Sequence, residues 1–253
     1  MPPVSHSGPL SVVAIIPARF HSTRLPAKAL AEIAGRPMIQ HVYERAAMAR
    51  RVARVIVATD DERIANVVRA FGGDVRMTAA SHRSGTDRLA EVAASLECDL
   101  VVNVQGDEPM VEPGMIDEAV EPFAADPDLQ LSTLRRPAGA ADLQNPHVTK
   151  VVVDRDGYAL YFSRAPIPFV REGAAPPPVW RHVGLYAYRR ACLITLAALP
   201  PTALELAESL EQLRALEYGI RIKTVESAFD TIGVDTQEDL DRVRRLMGAP
   251  AQA

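Results

Sequence analysis

Short unbroken apolar runs punctuate the first half of the chain. Between them, apolar positions recur at three- and four-residue intervals. Val12 to Ile16 is the first run, Val55 to Thr59 the second, Val75 to Thr78 a shorter third and Leu100 to Val104 the fourth. Continuous apolar stretches of this length predict strands buried on both faces. After the second run, Asp60 and Asp61 open a segment with Ile64, Val67, Val68 and Phe71 on one helical face, and Gly72-Gly73 closes it. Gly85 to Ser95 predicts a further helix, with Leu89, Val92, Ala93 and Leu96 in period. Strands alternating with helices predict a mostly parallel sheet covered on both sides.

The rhythm changes in the second half. Thr149 to Val153 and Tyr158 to Phe162 flank an Asp-Arg-Asp-Gly turn, the pattern of an antiparallel hairpin. Arg171 to Pro178 is rich in glycine and proline and predicts a loop. Val183 to Tyr188 predicts a strand carrying aromatics. Thr202 and Glu205 form a capping box opening one helix with Leu206, Leu210, Leu213 and Leu216 turned inward, stopping at Gly219. Ile222 to Val225 predicts a late strand. Thr236 and Asp239 cap a last helix carrying Leu240, Val243 and Leu246. The pattern as a whole predicts an α/β fold: a doubly wound, mostly parallel, Rossmann-like sheet over residues 11–248. A mixed antiparallel lobe is inserted at about 135–190.

Composition narrows the function. A net charge of -4 argues against a nonspecific nucleic-acid binder. The two cysteines, Cys98 and Cys192, lie far apart in apolar surroundings, as reduced thiols in a cytosolic protein do. The first ten residues have no basic region leading into an apolar core, so they predict a flexible tail and no signal peptide. No apolar run approaches the roughly 20 residues that span a bilayer. The expected location is therefore the cytoplasm.

The chemistry is expected at the carboxyl ends of the strands, where open α/β sheets bind ligands. The loop after the first run carries Arg19, Arg24 and Lys28 and has no glycine. Dinucleotide enzymes place a Gly-x-Gly-x-x-Gly turn there, so a dehydrogenase is a poor fit. Three cations suit a triphosphate instead. Asp107 follows the fourth run and Asp235 precedes the last helix. Together they would hold Mg²⁺, which prefers carboxylate, phosphate and water oxygens. Each also has a plainer reading: Asp235 as part of a helix cap, Asp107 as a turn residue, Ser84-Gly85-Thr86-Asp87 as a helix start. Likewise, His182 reads as a structural histidine, Arg164 as a partner for a nearby carboxylate and Glu211 as a solvated flank.

Several segments in order carry a resemblance. They are Ile-Ile-Pro-Ala-Arg-Phe-His-Ser-Thr-Arg-Leu-Pro-Ala-Lys (15–28), Gly-Arg-Pro-Met-Ile (35–39), Ala-Thr-Asp-Asp (58–61), Ser-Gly-Thr-Asp-Arg (84–88), Val-Asn-Val-Gln-Gly-Asp-Glu-Pro (102–109), Tyr-Phe-Ser-Arg (161–164), Arg-His-Val-Gly-Leu-Tyr (181–186), Leu-Glu-Gln-Leu-Arg (210–214) and Gly-Val-Asp-Thr (233–236). From about Val12 to about Met247 the chain resembles the 3-deoxy-manno-octulosonate (Kdo) cytidylyltransferases. The resemblance implies that CTP and Kdo give CMP-Kdo and pyrophosphate, for lipopolysaccharide synthesis, in a homodimer with much of the contact made by the lobe. It implies Arg19, Lys28, Asp107 and Asp235 as catalytic residues, with Mg²⁺ on the two aspartates. Ala18, Arg19, Lys28 and Ser84 would line the nucleotide pocket. Gln105, Arg164, His182, Tyr186, Glu211 and Gln212 match positions that contact the sugar acid. The chain departs from the family in reading Leu-Pro-Ala-Lys-Ala where many relatives read Leu-Pro-Gly-Lys-Pro. The rivals are a CMP-sialate or other sugar-nucleotide synthetase, and an inactive nucleotide-binding protein on the same scaffold.

Overall fold

The first strand, β1 (Val12–Ala18), sends alternate side chains to opposite faces, and each face seeds a separate core. Val12, Ala14, Ile16 and Ala18 enter one cluster; Val13 and Ile15 enter the other. The computed structural model that shows this describes residues 10–20 and 24–248. All but the last residue of the predicted N-terminal tail lies outside the described residues, and Leu10 packs against the first core.

In chain order, β1 is followed by a 3-10 turn at Lys28–Leu30, a two-stranded ribbon β2 (Glu32–Ile33) and β3 (Arg36–Pro37), and α1 (Met38–Ala47). Then come β4 (Arg54–Thr59), α2 (Glu62–Ala70), β5 (Val75–Met77), α3 (Gly85–Ala94), β6 (Leu100–Asn103), α4 (Pro113–Val120), α5 (Pro122–Ala125) and β7 (Leu131–Pro137). The second half contains α6 (Ala140–Gln144), β8 (Lys150–Val153), β9 (Ala159–Ser163), β10 (Trp180–Arg189), α7 (Arg190–Ala198), α8 (Ala203–Glu208), α9 (Gln212–Glu217), β11 (Ile222–Glu226) and α10 (Gln237–Gly248).

The main sheet runs β11, β7, β10, β6, β1, β4, β5. The pairs β1 with β4, β1 with β6, β4 with β5, and β11 with β7 are parallel. Within that order, β10 runs against its neighbours β6 and β7, and the β8–β9 hairpin joins the same sheet through an antiparallel pairing of β8 with β10. Helices α1, α2 and α4 bury Ile39, Val42, Ile64, Val68, Met115 and Ile116 in the first core. Helices α3 and α7 bury Leu89, Val92, Leu193 and Leu196 in the second, which completes the doubly wound layering. A third, small cluster joins Ile33 and Met38 to Val234, Leu240 and Val243, and so docks α10 beside the ribbon.

Three expectations are corrected. β10 is a central strand of the main sheet, so residues 180–189 of the expected insertion belong to that sheet. Alternation along a strand reads the same in a peripheral hairpin as in a sheet centre, and the sequence could not place it. The helix expected from Thr202 to Gly219 is two helices, because Ser209 adopts a left-handed backbone (φ 52°) that ends the first. Leu210 and Leu213 stay buried, but Leu206 is 69% exposed. In the last helix Leu246 faces outward and Met247 packs inward instead.

Candidate active site

Two loops meet at the carboxyl end of β1, and their meeting depends on a small residue. A Cβ on Gly106 would lie 2.8 Å from the carbonyl oxygen of Pro17, so only glycine lets the segment after β6 approach so closely. One residue on, the Asp107 carbonyl accepts a hydrogen bond from the Val234 amide (2.8 Å), tying in the Gly-Val-Asp-Thr segment. Asp107 and Asp235 are thereby brought to the same point. Lys28 Nζ donates to Asp107 Oδ2 at 2.6 Å and to Asp235 Oδ1 at 3.1 Å. Arg24 Nη2 lies 3.0 Å from the same Asp235 oxygen.

Of the plainer readings, the turn at Asp107 stands, since Gly106 and Asp107 form a turn closed by the Glu108 amide on the Gln105 carbonyl (3.2 Å), whereas the helix-cap reading does not hold for the Asp235 side chain. Asp235 does not cap α10 with its side chain. That work is done by Thr236 and Asp239, whose carboxylate also accepts from the Asp235 and Thr236 amides. Lys28 reaches both acids from a largely buried position, its side chain 15% exposed. Burial works against its ammonium, but Asp107 and Asp235 outweigh that and hold its pKa above the ordinary value. Beside them, burial and the neighbouring Asp107 push the Glu108 carboxyl up to about 8, so it adds no full third negative charge at neutral pH.

Pro17, Ala18, Arg19, Arg24, Lys28, Gly85, Gln105, Asp107 and Asp235 line one continuous cleft. Arg19 is exposed there, just past the end of β1. Ser84 is less direct: its hydroxyl accepts from the Asp87 amide in a capping box, and the next residue, Gly85, forms the cleft wall. The donor set fits a hard divalent ion. Two carboxylates stand within reach of a single ammonium, and carboxylate oxygens are the ligand type that such an ion takes alongside phosphate and water.

Ala27 supports this loop at a cost. It adopts a left-handed backbone (φ 56°), a conformation that favours glycine. A Cβ there is unfavourable by about 1–2 kcal/mol. Ala27→Gly is therefore expected to raise stability by about 0.5–1 kcal/mol once the greater freedom of unfolded glycine is subtracted. Urea unfolding with an unchanged slope will read this as a higher midpoint.

A second cavity of about 240 Å³ opens beside the cleft, and Gln105 lines both. Its floor is one face of β10. His182, Gly184, Tyr186 and Tyr188 alternate toward it, with ring centroids 5.3 Å apart between His182 and Tyr186 and 5.9 Å between the tyrosines. Burial pushes the His182 imidazole down to about 3, so it is neutral, and its Nε2 pairs with the Thr133 hydroxyl at 2.9 Å. Burial also holds the Tyr186 phenol well above its usual value. After the break at Ser209, Glu211 and Gln212 both line this cavity, where Gln212 Nε2 is buried and, among the described residues, has no hydrogen-bond partner.

Arg164 is placed differently from the expectation. Its guanidinium donates to the carbonyls of Glu208 (2.8 Å), Pro146 (3.1 Å) and Ser209 (3.4 Å), and its amide donates to the Glu208 carboxylate. In this arrangement it braces the Ser209 break and does not line the cavity. Thr86, Asn103 and Tyr188 do line it and were not singled out from sequence. Tyr188 had a usable signal, the two-residue alternation from His182; Thr86 and Asn103 lie inside the 84–88 and 102–109 segments that carry the resemblance, which was their signal.

The cleft with its paired acids and cations, set on a doubly wound sheet, defines a nucleotidyltransferase. The sequence model of the family described as Cytidylyltransferase matches residues 13–222, and the chain belongs to that family. The 3-deoxy-manno-octulosonate cytidylyltransferase of Geobacter sulfurreducens is 56% identical over 92% of this chain and 98% of its own length. That of Solibacter usitatus is 51% identical over 95% and 96%. A solved CMP:2-keto-3-deoxy-manno-octonic acid synthetase complexed with CTP superposes with a TM-score of 0.90 at 48% identity, covering 94% of this chain and 98% of that one. A 4-diphosphocytidyl-2C-methyl-D-erythritol synthase from Anaerococcus prevotii, at 12% identity and a TM-score of 0.63, shares the fold.

Proposed function

We propose that this protein transfers the cytidylyl group of CTP to 3-deoxy-manno-octulosonate, giving CMP-Kdo and pyrophosphate. The convergence of Asp107 and Asp235 on Lys28, at the mouth of a sugar-sized cavity, carries the reading. The named relatives and the CTP-bound structural neighbour support it. In the reaction the anomeric hydroxyl oxygen bonds to the α-phosphorus, the bond to the β-phosphate bridging oxygen breaks, and the hydroxyl proton passes to solvent.

Arg19, Arg24 and Lys28 meet the triphosphate and stabilise charge on the departing pyrophosphate. Ala18 and Gly85 bound the nucleotide side of the cleft. Glu211 accepts from sugar hydroxyls, and Gln212, His182, Tyr186 and Gln105 fix the ring beside the cleft. Asp107 and Asp235 are the residues that would hold Mg²⁺, which would supply charge neutralisation at the α-phosphoryl group and acidify the attacking hydroxyl.

We place the protein in the cytoplasm, feeding lipopolysaccharide synthesis. Among the described residues no helix is long and apolar enough to cross a membrane. We also infer a homodimer: the segment between β7 and β10 presents Leu160 (62% exposed) and Phe169 (88% exposed), apolar side chains suited to cover by a second copy.

The test supplies CTP and Mg²⁺ with Kdo, sialic acid or a sugar 1-phosphate and measures pyrophosphate. Release is expected with Kdo at least a hundredfold above the others. Turnover with another acceptor but not Kdo overturns the assignment. Binding of both substrates with no pyrophosphate returns the protein to a binding role.

A further inference from the structure

Helix α3 touches both cavities within a single turn. Gly85 bounds the triphosphate cleft, while Thr86, 6% exposed, faces the sugar-sized cavity. The Thr86 hydroxyl donates to Glu211 Oε2 at 2.6 Å, across 125 residues of sequence. Among the described residues no proton donor is bonded to the other carboxylate oxygen, Oε1. Glu211 is otherwise a long side chain at the start of α9, exposed and able to swing through several rotamers. One short hydrogen bond from a buried threonine selects the rotamer in which Oε1 stays available inside the cavity.

We propose that Thr86 is a positioning residue. It acts through Glu211, holding one carboxylate oxygen so that the other meets a hydroxyl of the sugar acid. The inference rests on the reading above, in which Glu211 contacts the acceptor. Because Thr86 follows Gly85 directly, the same turn of helix that walls the nucleotide sets the geometry of the acceptor contact. The nucleotide and acceptor sites are then mechanically joined at one dipeptide.

Thr86→Val removes the hydroxyl at nearly constant volume. In steady-state assays with CTP and Kdo it is expected to raise the KM for Kdo about tenfold while moving the KM for CTP less than twofold. Thr86→Ser restores the donor and is expected to return the KM for Kdo to within about twofold of the unmodified protein. The decisive arm is a double-mutant cycle. In a Glu211→Ala background, Thr86→Val should have no further effect on the KM for Kdo. An equal effect of Thr86→Val with and without Glu211 overturns the proposal, as does a matching rise in both KM values or a failed rescue by serine. No turnover by the unmodified protein overturns the functional reading first, and this proposal with it.

Discussion

Asp235→Asn is expected to lower turnover by about a hundred- to thousandfold while leaving the fold intact. Asparagine preserves the size of the side chain and one oxygen acceptor but removes its charge. On the proposed reading, two carboxylates at this point would do what one cannot: they would attract a hard divalent cation in competition with its hydration shell and hold two cationic side chains in register for a triphosphate. The resting contacts, Lys28 to both acids and Arg24 to Asp235, are charge-assisted and would weaken. Stability should barely move, because the cap of α10 belongs to Thr236 and Asp239. CTP binding without metal should hold steady or tighten, since one negative charge has left a site that receives a polyanion. Calorimetric CTP titration beside a pyrophosphate assay separates the effects. Turnover within tenfold of the unmodified protein would remove Asp235 from the chemistry.

Removing Arg214 should cost about 3–5 kcal/mol of stability. Its guanidinium forms a two-pronged pair with the Glu205 carboxylate, one contact being 2.7 Å, and both side chains are 9% exposed. The pair spans the Ser209 break and joins α8 to α9, while Nη1 also reaches the Leu196 carbonyl at 3.4 Å. Arg214→Ala leaves Glu205 buried beside an unfilled space with no counter-charge. For a domain of this size the loss corresponds to a drop in Tm of roughly 10 °C. The paired change Glu205→Leu with Arg214→Met should recover most of it, because well-packed apolar groups avoid the desolvation that the charges suffer. A loss below about 1 kcal/mol from Arg214→Ala would mean that water already reaches the pair.

The first half of the fold was legible because its strands are apolar throughout and its helices carry a clean 3.6-residue period. Asp61 caps α2 and Ser84 caps α3 where the sequence placed them. The cations of the first loop were legible too, since a glycine-free loop after a strand leaves side chains to do the binding. Less could be read where a single dihedral overrides a pattern. Nothing in Glu-Ser-Leu-Glu announces that Ser209 turns left-handed, yet Glu211 and Gln212 line the cavity just after that turn. Nor does Tyr-Phe-Ser-Arg reveal that the Arg164 guanidinium is taken up by three backbone carbonyls.

From the one-dimensional chain came the layering, the strand faces and the inventory of charged groups, because periodicity and residue type are local properties. Tertiary structure alone decided which charges meet. Asp107 and Asp235 are separated by more than half the chain, and they converge because Gly106 allows a backbone contact with β1 and the Asp107 carbonyl captures the Val234 amide. Proximity of that kind is set by long-range packing and hydrogen bonding, to which a local pattern carries no information.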